Sequence, residues 1–202
     1  MKKYLLAIVL FIALVSNVSC TKATNKYDFP ITREIVEHVL NDKNLEWSIA
    51  EEKTGGFQSS FIMKVDEDEY GRSDIGITAI LESIGNDDER YLSAQIIYPN
   101  TYSSTQIREQ QVENLPLLID IATELYGING SSRSIFNEFV KYSDGNIDYE
   151  NNGLLWEYKV KDTHVLLRMS SLSKGVMHRK LAVFIMNDIS YEKYKAGTTP
   201  SQ

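Results

Sequence analysis

The sequence predicts an α+β fold in which an antiparallel β-sheet packs one face against two or three helices. Three observations lead there. Alternating apolar segments separated by short turn signals run from Leu45 to Tyr98. Apolar stripes at helical spacing precede and follow that region. A second group of strand-like segments runs from Leu154 to Asn187. Short turns cannot carry a chain across to a parallel neighbour, so the first group reads as an antiparallel meander.

The elements follow in order. Thr32 is the expected N-cap of the first helix, with Ile31 and Val36 at the staple positions around it. Ile35, Val36, Val39 and Leu40 form one apolar stripe, and the polar run 41–44 ends the helix. Leu45, Trp47 and Ile49 alternate in a first strand, which Thr54-Gly55-Gly56 turns back into a second from Phe57 to Val65. After the acidic stretch Asp66–Glu69, Ile75 to Ile84 reads as a third strand with Ile75, Ile77, Ala79, Leu81 and Ser83 on one face. Gly85–Asp88 is a hairpin loop, and Tyr91 to Tyr98 returns until Pro99-Asn100 stops it.

A second helical region covers Thr105 to Tyr126. Pro116 inside it predicts a kink or two helices, because proline lacks the N–H and crowds the preceding turn. Ile107, Val112, Leu115, Leu118, Ile119, Ala122 and Leu125 are its expected buried face, and Gly127 is a natural C′ residue. Ser134 is the expected cap of a third helix reaching Tyr142, which buries Ile135, Phe136 and Phe139. Leu154–Val160 and His164–Ser171 make a hairpin about Lys161-Asp162-Thr163, and Lys180–Asn187 is the last strand. From Tyr191 the chain is polar and reads as a frayed tail. Trp47, Ile49, Phe61, Ile77, Leu81, Ile96, Leu118, Phe139, Trp156 and Leu166 are the expected core.

The order helix–strand–strand–strand runs twice, over 29–99 and 105–190, with a tryptophan near the start of each sheet segment at Trp47 and Trp156. Either two similar halves or a chance recurrence of element order accounts for this. The folded region, 29–190, has the length of one domain.

The 202-residue chain contains one cysteine, Cys20. It stands at the foot of a three-part leader. Lys2 and Lys3 form a positive start, Tyr4 to Val15 is an apolar run of twelve, and Ser16 to Ser19 is small and polar. A permanent span needs about 20 apolar residues to cross roughly 30 Å of hydrocarbon, so twelve are too few. The segment Val18-Ser19-Cys20 resembles the processing site of a bacterial lipoprotein precursor. Asn17 departs from the pattern, which has Leu, Val or Ile at its first position. The resemblance implies a signal peptide over 1–19, a lipidated Cys20 at the new N-terminus, and a polar tether over 20–28. It implies a domain held by palmitate-type acyl chains to a membrane of the bacterial cell envelope, outside the cytoplasm. No second cysteine exists to form a disulfide, and a free thiol is a hazard in an oxidising compartment.

Loss of residues 1–19 would remove two lysines and no acids, moving the net charge from −7 to −9. Such a surface repels polyanions, which excludes nucleic acid as the main partner. Catalytic signatures do not assemble. Ser171-Leu-Ser-Lys174 has the Ser-x-x-Lys spacing of the serine penicillin-interacting enzymes, and Lys53-Thr54-Gly55 matches another of their motifs. The order is reversed, however, and no helix follows Ser171. Gly71 to Thr78 has phosphate-loop glycine spacing, but Ile77 takes the place of the lysine and a strand follows. The acidic loops 66–69 and 144–148 have partial calcium-loop patterns without the bidentate glutamate. They read as solvated turns, with calcium left as the alternative. His38, His164 and His178 share no metal-ligand spacing.

No catalytic residue, metal ligand or cofactor is therefore expected. Three functional readings remain. The first is a lipid-tethered binding or interaction module with an unidentified protein or small-molecule partner. It requires a concave or sheet surface lined by exposed aromatic residues. The second is an envelope hydrolase in which acids such as Asp66, Asp68 or Asp144 meet a histidine. The third is an inhibitor or immunity-type protein that uses its acidic surface.

Overall fold

A computed structural model describes residues 27–45, 47–65, 77–86, 88–99, 102–128, 130–143, 154–169 and 180–197. Helix α1 (Arg33–Asp42) precedes four strands, β1 (Ser48–Gly55), β2 (Gln58–Val65), β3 (Ile77–Gly85) and β4 (Arg90–Ile97). Helices α2 (Ser104–Tyr126) and α3 (Ser132–Ser143) follow. Strands β5 (Leu154–Val160), β6 (Thr163–Met169) and β7 (Lys180–Asn187) then lead into α4 (Asp188–Lys195). The seven strands form one sheet in the order β1-β2-β3-β4-β7-β6-β5, and every neighbouring pair is antiparallel. This is an α+β fold with helices packed on the sheet, as the sequence predicts. The two meanders occupy opposite halves of the sheet, each with its first strand at an edge, and they join where β7 pairs with β4.

Helices α1, α2 and α3 cover one face. The long α2 lies over β4 and β7 and touches α1 and α3. The core between these layers takes Val36, Val39 and Leu40 from α1, Leu118, Ile119 and Leu125 from α2, and Ile135 and Phe139 from α3. The sheet contributes Phe61, Met63, Leu81, Leu92, Ile96, Val165, Leu167, Val183 and Ile185, spaced by two along each strand as the pleat requires. Burying each such large apolar side chain stabilises by about 1.5–3 kcal/mol.

Several local expectations change. Thr32 stands at the N-cap of α1 with extended backbone, but its side chain makes no capping bond; its carbonyl accepts from the Val36 amide instead. The cap bonds appear at α2. There the Gln106 amide donates to Ser103 Oγ at 3.3 Å, and the Ser103 amide donates to Gln106 Oε1 at 2.9 Å. Helix α2 is one continuous element despite Pro116. The carbonyl four residues earlier, which proline leaves without its donor, belongs to Val112. Both residues lie on the solvent side, so water can satisfy that carbonyl. Val112 is 57% exposed rather than buried, and its neighbour Gln111 turns inward to donate Nε2 to the Lys180 carbonyl. Ser134 lies in the first turn of α3 and is not its cap, since the Ser131 carbonyl takes the first bond, from Ile135.

Phe57 belongs to the β1–β2 turn and is 61% exposed. Trp47 and Ile49 are half-buried, and the Ile77 side chain lies outside what is described. Strand β1 is almost wholly exposed and carries Glu51, Glu52 and Lys53, charges that discourage pairing with another chain at this edge.

The N-terminal segment is fastened before α1 begins. Ser59 and Ser83 face each other across β2 and β3 and share a hydrogen bond of 2.7 Å. Ser59 Oγ donates to the Ile31 carbonyl, and the Ile31 amide donates to Ser83 Oγ. Arg90, only 5% exposed, donates Nη2 to the carbonyls of Tyr27 at 3.0 Å and Tyr126 at 3.4 Å. Its guanidinium lies 4.1 Å from the Phe29 ring centre and 5.2 Å from that of Tyr126.

Candidate functional site

The second face of the sheet is the candidate site. Strand alternation assigns its residues, and register aligns them in rows running from β2 to β5. One row is Ile62, Ile80, Gln95, Ala182, Arg168 and Leu155. The next is Ser60, Glu82, Ser93, Phe184, Leu166 and Glu157. A third is Gln58, Ile84, Tyr91, Met186, His164 and Lys159. Leu166, Ala182 and Met186 are buried here although they stand outside the main core. Leu166 is thus buried as expected, but on the face opposite the main core.

Helix α4 creates that burial over the third row. It contacts β4, β7 and β6 and lays Tyr191 flat on His164, ring centres 3.7 Å apart. The expectation of a frayed chain from Tyr191 is thereby corrected: the helix runs to Lys195. Its signals are in the sequence. Asn187 caps it by accepting from the Ser190 amide, Asp188 stands in the first turn, and Lys193 and Lys195 stand in the last, each sign matching the helix dipole.

A charged clasp fixes α4 to the sheet. His164 Nδ1 meets Glu157 Oε1 at 3.1 Å, and Nε2 meets Asp188 Oδ1 at 2.7 Å. Lys159 Nζ donates to the same Asp188 oxygen at 2.6 Å, and the Tyr191 hydroxyl donates to Glu157 Oε2 at 2.7 Å. Lys195 lies 4.7 Å from the Tyr191 ring centre, and Lys193 pairs with Glu89. The hydrogen bonds from Lys159 and then His164 hold the Asp188 carboxyl below its ordinary range. Burial pushes Glu157 up, but the bonds from Tyr191 and His164 outweigh it and the carboxyl ends low. The Glu157 bond, with burial, pushes the Tyr191 phenol up to about 12.

This cluster is built to hold rather than to react. Each nitrogen of His164 already has a carboxylate partner, so neither is free to act as a general base. The Tyr191 phenol donates to a carboxylate and keeps its proton. Among the described residues, no group of three or more His, Cys, Asp or Glu is arranged to hold a metal ion.

Beyond α4, no other described helix packs on this face. Ile62, Ile80, Ile97, Tyr91 and Phe184 are half-buried and Leu155 is 55% exposed. The Tyr91 and Phe184 rings tilt together with centres 6.3 Å apart. Burial pushes the Tyr91 phenol up to about 12, against the opposing effect of a hydrogen bond with Ser93. Charge on this stretch comes from Glu82 near its centre, Arg168 toward the β5 edge and Lys180 opposite Ile97.

A separate cleft of about 580 Å³ lies between Pro30–Glu34 and the β1–β2 hairpin. Arg33 pairs with Glu37 at 2.7 Å and reaches Glu52 across the cleft at 3.5 Å. The cleft is lined by few apolar side chains and by the two open glycines of the turn, Gly55 and Gly56.

The residues singled out by motif are not gathered at either place. His38 is exposed on α1 beside Asp42. His164 is the one histidine in the clasp. Cys20, Asp66, Asp68, Asp144, Ser171, Lys174 and His178 lie outside the described residues, as do both acidic loops. No described helix is long and apolar enough to cross a membrane. Comparison with known protein families, curated proteins and solved structures found no match to this chain.

Proposed function

We propose that this chain is a lipid-anchored binding module of the bacterial cell envelope, tethered through Cys20, and that its binding surface is the part of the second sheet face beyond α4. The observation that carries the binding reading is the set of half-buried Ile62, Ile80 and Phe184 on this face, where α4 is the one described helix that packs. Apolar side chains left partly accessible on a sheet face suit an interaction surface. The engagement of both His164 nitrogens favours binding over hydrolysis. The leader and lone cysteine support the anchor, and the acidic balance of the chain argues against nucleic acid as the partner.

Two experiments test the two parts. Labelled palmitate should enter the wild-type chain and spare Cys20→Ala; equal labelling would remove the anchor. A photo-crosslinking side chain at Phe184 or Ile80, in living cells, should give discrete adducts. The same group at exposed Glu37 on α1 should give none. Equal adduct patterns at the three positions, or none at any, would overturn the binding surface.

A further inference from the structure

The point where the chain leaves the fold limits how the domain can stand on a membrane. Tyr27 is held by the Arg90 hydrogen bond at the end of the sheet where β4 begins. The β1–β2, β3–β4 and β5–β6 turns and the C-terminus of α2 lie at this same end, as register and the contact of Arg90 with Tyr126 require. The N-terminus of α2 lies at the other end, beyond Ile97. Seven peptide steps separate Cys20 from Tyr27, and even fully extended they reach at most about 25 Å. Helix α2 alone, at 1.5 Å per residue, is about 34 Å long. A domain standing on its α2 N-terminal end would hold Tyr27 farther from the bilayer than the tether reaches. Only the Tyr27 end or a side can face the lipid.

The exposed aromatic at the Tyr27 end chooses between these. Phe57, 61% exposed, is the most exposed of the large apolar side chains described, and it sits in the β1–β2 turn. Its carbonyl accepts from the Gly85 amide, which ties that turn to the β3–β4 turn beside Arg90. A lone exposed phenylalanine is unremarkable on a soluble protein. Next to a lipid tether it has an apolar phase within reach.

We infer that the domain stands on the bilayer by its Tyr27 end, with Phe57 in the interfacial layer of a lipid surface, and with the second sheet face directed sideways. This rests on the proposed lipidation of Cys20. The experiment uses full-length, processed protein reconstituted into phosphatidylethanolamine–phosphatidylglycerol vesicles that carry nitroxide-labelled lipid. Because the wild-type chain has no other cysteine, Phe57→Cys, Asp162→Cys, Thr105→Cys and Phe184→Cys can each carry one fluorophore. Quenching is expected at 57, weaker quenching at 162, and none at 105 or 184. Quenching at 184 comparable to that at 57, or quenching at 105, would overturn the orientation. So would vesicle-bound protein with no quenching anywhere. Failure of the protein to float with vesicles would instead overturn the anchor, on which the orientation depends.

Discussion

Replacing Arg90 by alanine removes the side chain that ties the N-terminal segment to the rest of the fold. Arg90 donates to Tyr27 at 3.0 Å and more weakly to Tyr126 at 3.4 Å, and its guanidinium stacks on Phe29. A hydrogen bond with a charged donor contributes about 1.5–3 kcal/mol. A desolvated cation–π contact contributes about 2 kcal/mol. These do not add in full, because truncation also removes a buried charge. The expected loss for Arg90→Ala is therefore about 3 kcal/mol, or about 6–12 °C in Tm for a domain of this size. Arg90→Lys keeps the charge but loses the planar fork and most of the stacking, and should fall between, at about 1–2 kcal/mol. Urea unfolding at neutral pH measures both. Limited proteolysis should also show earlier cleavage near Tyr27 in the alanine variant. A loss below about 0.5 kcal/mol for Arg90→Ala would refute the account of how the N-terminal segment is held.

Gly85→Ala should lose at least about 3 kcal/mol in urea unfolding, because φ is +129° and a Cβ would stand 1.6 Å from the Glu89 carbonyl oxygen. On α2, Val112→Glu should stay within about 0.5 kcal/mol of wild type while Gln111→Ala loses about 1–3 kcal/mol, and the reverse ranking would refute the observed facing. The clasp should respond to pH at both extremes. Glu157 and Asp188 have lowered folded pKa values, so their stabilisation is complete above the ordinary carboxylate range and is lost as pH falls from there through the lower folded values. Tyr191 has a raised one, so its contribution holds below about pH 10 and is lost as pH rises toward about 12. Amide exchange in residues 188–195 should accelerate at both ends, and His164→Ala should accelerate it at neutral pH as well. Protection unaffected by His164→Ala would refute the clasp.

The strands and the helices of the first face were legible because each carries a periodic apolar pattern. Residues at spacing two in β2, β3 and β4, and at three to four in α1, report burial directly. Val112 was misassigned because a valine at helical spacing looks inward. The adjacent Gln111 takes the inward place instead, donating to the half-buried Lys180 carbonyl. Helix α4 was hidden by its polar composition. Its hold on the sheet comes from ion pairs and a ring stack, which leave no hydrophobic period, although its cap and terminal charges are there to be read. The candidate site was legible only in part. Tyr91, Phe184 and Ile80 read as ordinary strand residues. That they share one face follows from register across β3, β4 and β7, which no local pattern carries.

By itself the sequence determined the class of fold, the antiparallel meander of the first four strands, the hairpin of β5 and β6, the presence of a single cysteine and the acid-rich balance. These depend on neighbours in the chain or on simple sums over it. Tertiary structure alone decided that β7 joins β4 to make one seven-stranded sheet. It decided that Arg90 binds carbonyls 36 and 63 positions away, and that the last described helix covers part of the second face. Those are contacts between residues far apart in the chain. Their energy comes from desolvation and packing that exist only once the sheet has brought the partners together.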